Sequence, residues 1–146
     1  MIERLEELTE QGNFRAKVEA VIINANTGRG MQLKIADALR TPERQAEKVK
    51  KGFSKTMRSK HLAGSDGLAR AADIVDARYG WDAPKDVWVL IGRLALTQGL
   101  GWGGLWGLPF VMRSKFEDFL LDRSVPFDPK KWAGKLGWDV AHLEKR

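Results

Sequence analysis

The sequence predicts an α+β fold. Apolar residues recur at helical spacing in several segments, whereas elsewhere they alternate with polar residues as in a strand with one buried face. The chain has 146 residues, of which 43% are hydrophobic, and this is enough for one core but too short for two. We therefore expect residues 1–146 to form a single domain, with helices flanking a small sheet.

The N-terminal third is predicted to contain two helices and a strand. Residues 2–10 and residues 14–26 carry apolar side chains at helical spacing, namely Ile2, Leu5 and Leu8, then Phe14, Val18, Val21 and Ile22. A polar, glycine-containing break follows at residues 27–30. Residues 31–36 then alternate apolar and polar side chains, which predicts a strand with one buried face.

The middle of the chain is predicted to contain a capped helix, a basic loop and a second strand. Thr41, Pro42 and Glu43 provide an N-cap, a proline in the first turn and an early acid, so a helix should begin there and end at Gly52. The basic loop covers residues 53–60. Residues 71–76 are short and of mixed polarity, which is compatible with a strand.

Two further helices are predicted in the C-terminal half. The first carries Val87, Leu90, Ile91 and Leu94 and should end near Gly99, and the second contains Phe116, Phe119 and Leu120. Residues 101–107 between them are rich in glycine and tryptophan. Residues 125–129 form a proline-containing connector.

Composition narrows the chemistry that the chain can support. The absence of cysteine excludes disulfide frameworks and cysteine-rich zinc modules, so any zinc must be bound by imidazole and carboxylate groups. The formal charge of +6 favours an anionic partner, which could be nucleic acid, a phospholipid surface or a cell envelope. We find neither signal-peptide features nor a membrane-spanning stretch, and we expect no membrane insertion.

The two histidines of the chain are the main candidates for metal ligands. His61 follows the basic loop and His142 lies near the C-terminus. Two imidazoles and one carboxylate form an open zinc site, in which one coordination position is left for water. Asp73 is the candidate carboxylate.

Four segments in order resemble a known family. Residues 59–64 (Ser-Lys-His-Leu-Ala-Gly), continuing to Asp73, resemble the Ser-x-His-x-x-Gly-x-Ala-x-Asp signature of the zinc D-alanyl-D-alanine carboxypeptidases and phage L-alanyl-D-glutamate endopeptidases. Residues 139–144 resemble the closing motif of that family, residues 102–106 its Trp-Gly-Gly element, and residues 39–45 its Arg-Ser/Thr-x-x-x-Gln segment. The resemblance implies a small antiparallel sheet flanked by helices, as in hedgehog and DD-peptidase folds.

The resemblance also implies roles for individual residues. His61, Asp73 and His142 would bind Zn²⁺, and Asp139 would be the general base. Arg40 would face the oxyanion or a substrate carboxylate. Supporting or substrate-binding positions would be Ser59, Gln45, Trp102 and Trp106. One departure from the pattern is that Asp73 comes twelve residues after His61, a longer spacing than in the family, which is why Asp66 and Asp76 stay open.

The function predicted from these features is hydrolysis of the peptidoglycan stem peptide. The first expectation is a phage endolysin with L-alanyl-D-glutamate endopeptidase activity, monomeric, held in the host cytoplasm and acting on the wall after the membrane is permeabilised. A D-alanyl-D-alanine carboxypeptidase of the same family is the alternative. Two other hypotheses are an inactive zinc-binding relative and a basic module that binds nucleic acid through its lysine-rich segment, although peptidoglycan is the expected partner.

Overall fold

A four-stranded antiparallel sheet organises the computed structural model, which describes residues 1–146. Its strands are β1 (Leu33–Asp37), β2 (Ala71–Asp76), β3 (Gly101–Trp102) and β4 (His142–Glu144), in the order β1-β2-β4-β3. The last strand of the chain therefore lies between β2 and β3 and pairs antiparallel with both. The α+β prediction is confirmed.

Four helices accompany the sheet: α1 (Phe14–Gly28), α2 (Pro42–Lys50), α3 (Lys85–Thr97) and α4 (Phe110–Leu121). Helix α3 contacts both α1 and α4, and most of its side chains are buried. A helix that is apolar over so much of its circumference belongs inside a core. The core is a single cluster of 28 buried residues that joins these helices to the sheet.

The start of α2 agrees with its sequence signals. The Thr41 hydroxyl accepts a hydrogen bond from the Arg44 backbone N–H at 3.2 Å, and Pro42 occupies the first turn. The helix ends at Lys50, and Gly52 follows with a φ of +78°, a conformation that glycine adopts at little cost. The basic loop then leads to His61.

The prediction of a helix over residues 2–10 is wrong. Only a single 3₁₀ turn forms there, at Leu5–Glu7. The following backbone pairs with a distant segment instead, since the Thr9 N–H donates to the Ala69 carbonyl and the Ala69 N–H donates to the Glu7 carbonyl, each at 2.9 Å. Because an isolated short helix is costly to nucleate, these tertiary bonds prevail.

None of the helices combines the length and apolar character required to cross a bilayer.

Candidate metal centre

Three side chains from separate parts of the chain converge at one end of the sheet. Asp73 on β2 and His142 on β4 are direct cross-strand partners. His61 is held beside them because its carbonyl accepts a hydrogen bond from the Arg40 backbone N–H at 2.8 Å. One ligand atom from each of His61, Asp73 and His142 lies within 4.8 Å of the other two, and all three residues are buried. This cluster could hold a metal ion.

The alternative aspartates do not join the cluster. Asp76 lies at the far end of β2, where its carboxylate pairs with Arg78 at 2.6 Å. Asp66 is exposed and bonds to the Thr9 hydroxyl. Despite the longer spacing from His61, Asp73 is the aspartate that faces both histidines, because strand β2 carries it there.

The orientation of the two imidazole rings fits metal binding. The Nδ1 atom of His61 lies 2.7 Å from the Ala38 carbonyl oxygen, which accepts its proton and leaves Nε2 facing Asp73 Oδ1 at 3.3 Å. His142 presents the other nitrogen, Nδ1, at 3.5 Å from the same oxygen.

Two atoms of the cluster are buried without any hydrogen-bond partner: His61 Nε2 and Asp73 Oδ1. Buried polar atoms are nearly always satisfied, so unpaired atoms need an explanation. A divalent transition metal held by two imidazole nitrogens and a carboxylate oxygen would satisfy both. The residues therefore fit a metal ion.

The charges around the cluster also favour a cation. In the metal-free protein, burial acts to lower the pKa of His142, but the neighbouring carboxylates of Asp73 and Glu144 outweigh burial and raise that pKa to about 9. Burial likewise acts to raise the pKa of Asp73, yet the adjacent imidazoles of His142 and His61 hold that pKa well below its usual range. The carboxylates thus attract positive charge, which either a proton or a metal ion can supply.

Asp139 lies next to the cluster in a turn. The His142 backbone N–H donates to the Asp139 carbonyl at 3.2 Å, and Asp139 Oδ2 lies 3.8 Å from His142 Nδ1. Burial, aided by the charge of Asp73, raises the pKa of Asp139 to about 6. A carboxylate with a pKa close to neutrality can both accept and return a proton.

The Trp-Gly-Gly element shapes the backbone around Asp139. The Asp139 N–H donates to the Gly103 carbonyl at 3.3 Å, and any side chain at Gly103 would collide with the Asp139 carbonyl oxygen. Glycine is therefore required for this close approach.

A buried network holds Arg40 above the cluster. Its Nε and one terminal nitrogen donate to Asp37 Oδ2 at 3.1 and 2.6 Å, and its other terminal nitrogen donates to Gln45 Oε1 at 2.5 Å. The guanidinium also lies 3.7 Å from Asp73 Oδ2. Gln45 is fully buried and supports Arg40 without lining the cavity.

The cluster lies in the floor of a cavity of about 620 Å³. We call His61, Asp73, Asp139 and His142 the floor. The surrounding rim carries aromatic and basic side chains, most of them exposed: Lys48, Phe53, Arg58, Trp81 and Trp138. Neither basic side chain of the rim is in a salt bridge, so both are available to an anionic ligand.

The remaining predicted substrate residues separate into two groups. Ser59 lines the cavity, and its hydroxyl accepts the His61 backbone N–H at 3.1 Å. Trp106 also lines the cavity and packs against the His142 ring, with centroids 4.6 Å apart. Trp102 does not reach the cavity, which corrects its expected place: it is 1% exposed, packs in the core against Phe116, and donates its indole N–H to the Val140 carbonyl.

Several cavity and network residues are missing from the sequence prediction. Glu144 bonds to His142, Asp37 holds Arg40, and Trp81 lines the rim. Glu144 had a usable signal, because residues two apart on a strand share a face. That signal applies only if residues 142–144 are recognised as a strand.

Comparison with known proteins gives a likeness of fold. No protein-family model and no curated protein matches the chain. Among solved structures, the chain is similar to the crystal structure of the Serratia marcescens L-Ala D-Glu endopeptidase ChiX, with a TM-score of 0.54 and 23% sequence identity. The match covers 97% of this chain and 83% of the other. The two proteins therefore share a fold across nearly the whole of this chain.

Proposed function

We propose that this protein is a zinc-dependent hydrolase of the peptidoglycan stem peptide, with L-alanyl-D-glutamate endopeptidase activity as the first expectation. The observation that carries the proposal is the floor itself: two buried ligand atoms without partners lie beside a half-buried carboxylate whose pKa is about 6. The fold shared with an L-Ala D-Glu endopeptidase and the motifs around both histidines support the same chemistry.

Zinc is the proposed metal because its common catalytic sites combine imidazole and carboxylate ligands and keep one position open. The proposed ligands are His61 Nε2, an oxygen of Asp73 and His142 Nδ1. When bound, zinc supplies a Lewis acid that polarises the scissile carbonyl and makes water a stronger nucleophile.

Asp139 is the proposed general base. Its carboxylate takes a proton from the attacking water and later returns it to the leaving amine, which a pKa near 6 permits in both directions. Arg40 is the proposed oxyanion-stabilising residue. Asp37 and Gln45 fix its guanidinium before the substrate arrives. A fixed positive charge at this position stabilises the oxyanion as it forms.

The charged and aromatic side chains of the rim favour an acidic peptide as the substrate. The stem peptide carries a D-glutamate carboxylate, which the free charges of Lys48 and Arg58 suit. The exposed rings of Trp81 and Trp138 offer flat apolar surfaces for the peptide or the attached sugar. From the motif resemblance to phage enzymes, we propose a role in lysis of the host cell, with the protein held in the host cytoplasm until the membrane is permeabilised.

The test is mass spectrometry of fragments released from purified peptidoglycan by the protein as prepared, after chelation, and after zinc is restored. New free amino termini at D-glutamate, lost on chelation and regained with zinc, are the expected result. Release of terminal D-alanine would instead identify a carboxypeptidase. No metal-dependent fragments from several wall types would refute the peptidase function and favour the basic nucleic-acid-binding module.

A further inference from the structure

The side of the His142 ring that faces away from the cluster is occupied by a carboxylate. His142 and Glu144 share one face of β4, and His142 Nε2 lies 3.0 Å from Glu144 Oε1. Nδ1 of the same ring faces Asp73. Glu144 therefore accepts the Nε2 proton and leaves the Nδ1 lone pair free to bind a metal.

Glu144 is itself held by Lys60. The Lys60 ammonium donates to Glu144 Oε2 at 2.9 Å and to the Lys145 carbonyl at 2.7 Å. Lys60 directly precedes His61, so this ion pair links the chain segments that carry the two imidazoles. Both members line the cavity and are partly shielded from solvent.

The two imidazoles are thus supported differently. The outer nitrogen of His61 contacts a neutral backbone carbonyl, that of Ala38, whereas the outer nitrogen of His142 contacts a charged carboxylate. A carboxylate fixes the tautomer and makes the ring a stronger metal ligand than a carbonyl does.

We propose that Glu144 and Lys60 form a positioning pair that orients His142 and sets the metal affinity of the site. The inference rests on the metal centre of the proposed function and extends it to residues that do not contact the substrate bond. Glu144 provides the acceptor for the Nε2 proton. Lys60 keeps the Glu144 carboxylate in the orientation that this bond requires.

The first test is the zinc affinity of the full chain, measured by competition with a chromophoric chelator. We expect Glu144→Ala to weaken zinc binding about 10- to 100-fold, the usual effect of losing a carboxylate partner of a ligating histidine. Glu144→Gln keeps an acceptor without the charge and should lose less. Lys60→Met should have the smallest effect, below about 10-fold.

Glu47→Gln is the matched control, because Glu47 forms an ion pair with Lys51 at 2.7 Å on exposed α2, outside the cavity. Its zinc affinity should equal that of the unmodified protein. If Glu144→Ala fails to fold, the nearly isosteric Glu144→Gln still tests the pair. Affinities within twofold of the unmodified protein for both Glu144 variants would overturn the proposal.

A second test observes the ring protons of the histidines by NMR, which is practical because the chain has only two histidines. In the zinc-loaded, ¹⁵N-histidine-labelled protein, NMR should show the proton of His142 on Nε2 and that of His61 on Nδ1. Glu144→Ala should speed exchange of the His142 proton with water and leave the His61 proton unchanged, whereas a purely structural loss would affect both rings.

The proposal and the function it extends can fail separately. Zinc binding requires no peptidoglycan, so a protein whose affinity depends on Glu144 but which releases no wall fragments would refute only the peptidase function. Metal-dependent fragment release with Glu144 variants of full zinc affinity would refute only the positioning pair.

Discussion

The floor and the rim of the cavity are built in different ways. Floor residues Asp73 and His142 come from paired strands and are buried. The rim residues Phe53 and Arg58 come from the basic loop, and the rings of Phe53 and Trp81 are 74% and 60% exposed. Strand pairing thus fixes two of the four floor residues, whereas most of the rim residues lie on exposed surface segments, where they can meet a ligand.

Removal of the Asp73 carboxylate from the floor should have the greatest effect on zinc binding and on activity. Asp73→Ala should abolish stoichiometric zinc binding and peptidoglycan cleavage, because Asp73 faces both imidazoles. Zinc content after dialysis, measured by atomic absorption, checks the metal. Asp66→Asn is the control, since Asp66 is exposed and outside the cavity, and it should keep its zinc. Full zinc content in Asp73→Ala would exclude Asp73 as a ligand.

The second effect separates metal binding from proton transfer within the floor. Asp139→Asn removes the proposed base and should lower kcat/KM about 10²- to 10⁴-fold. Zinc content should stay the same, because Asp139 is not among the three clustered ligands. Cleavage assays beside zinc analysis measure both quantities. An Asp139→Asn variant with ordinary turnover would mean that another group accepts the proton.

The third prediction concerns how the free energy of unfolding of the metal-free protein depends on pH. The folded-state pKa of His142 is raised to about 9, above the ordinary value of 6.5, so its protonated ring stabilises the fold fully below pH 6.5. That contribution is lost as the pH rises through about 9 and is on the order of 1–3 kcal/mol. Urea unfolding of chelated protein between pH 6 and 10 should show the loss.

His142→Gln should remove most of this pH dependence, since an amide does not titrate in that range. Zinc-loaded protein should also lack the loss, because the bound ring carries no additional proton. Chelated protein with the same free energy of unfolding at pH 6.5 and 9.5 would contradict the charge argument for the floor.

The smallest effect is expected at the rim. Trp81→Ala removes an exposed ring from the cavity mouth and should raise KM about 2- to 10-fold with little change in kcat, as expected for a contact worth about 1 kcal/mol. Kinetics on soluble wall fragments measure the split. Phe110 is an even more exposed aromatic residue outside the cavity, so Phe110→Ala should change neither constant. A large loss of kcat in Trp81→Ala would place that ring in the chemical step.

Local patterns were sufficient for much of the fold. Helical spacing identified α1 and α3, and the Thr41 cap identified the beginning of α2, because these features depend on neighbouring residues. The same reasoning failed at residues 2–10, where long-range backbone bonds replace the helix. Helical spacing cannot reveal a competing partner about sixty residues away.

The residue types available for a metal can be read from the sequence alone: two histidines, no cysteine, and a short set of candidate aspartates. Tertiary structure decided which of them meet. Only the insertion of β4 beside β2 places His142 opposite Asp73, and only the packing of β3 directs Trp102 into the core while Trp106 faces the cavity. The physical reason is that strand register is set between segments far apart in the chain, and a shift of one residue would turn each side chain to the opposite face.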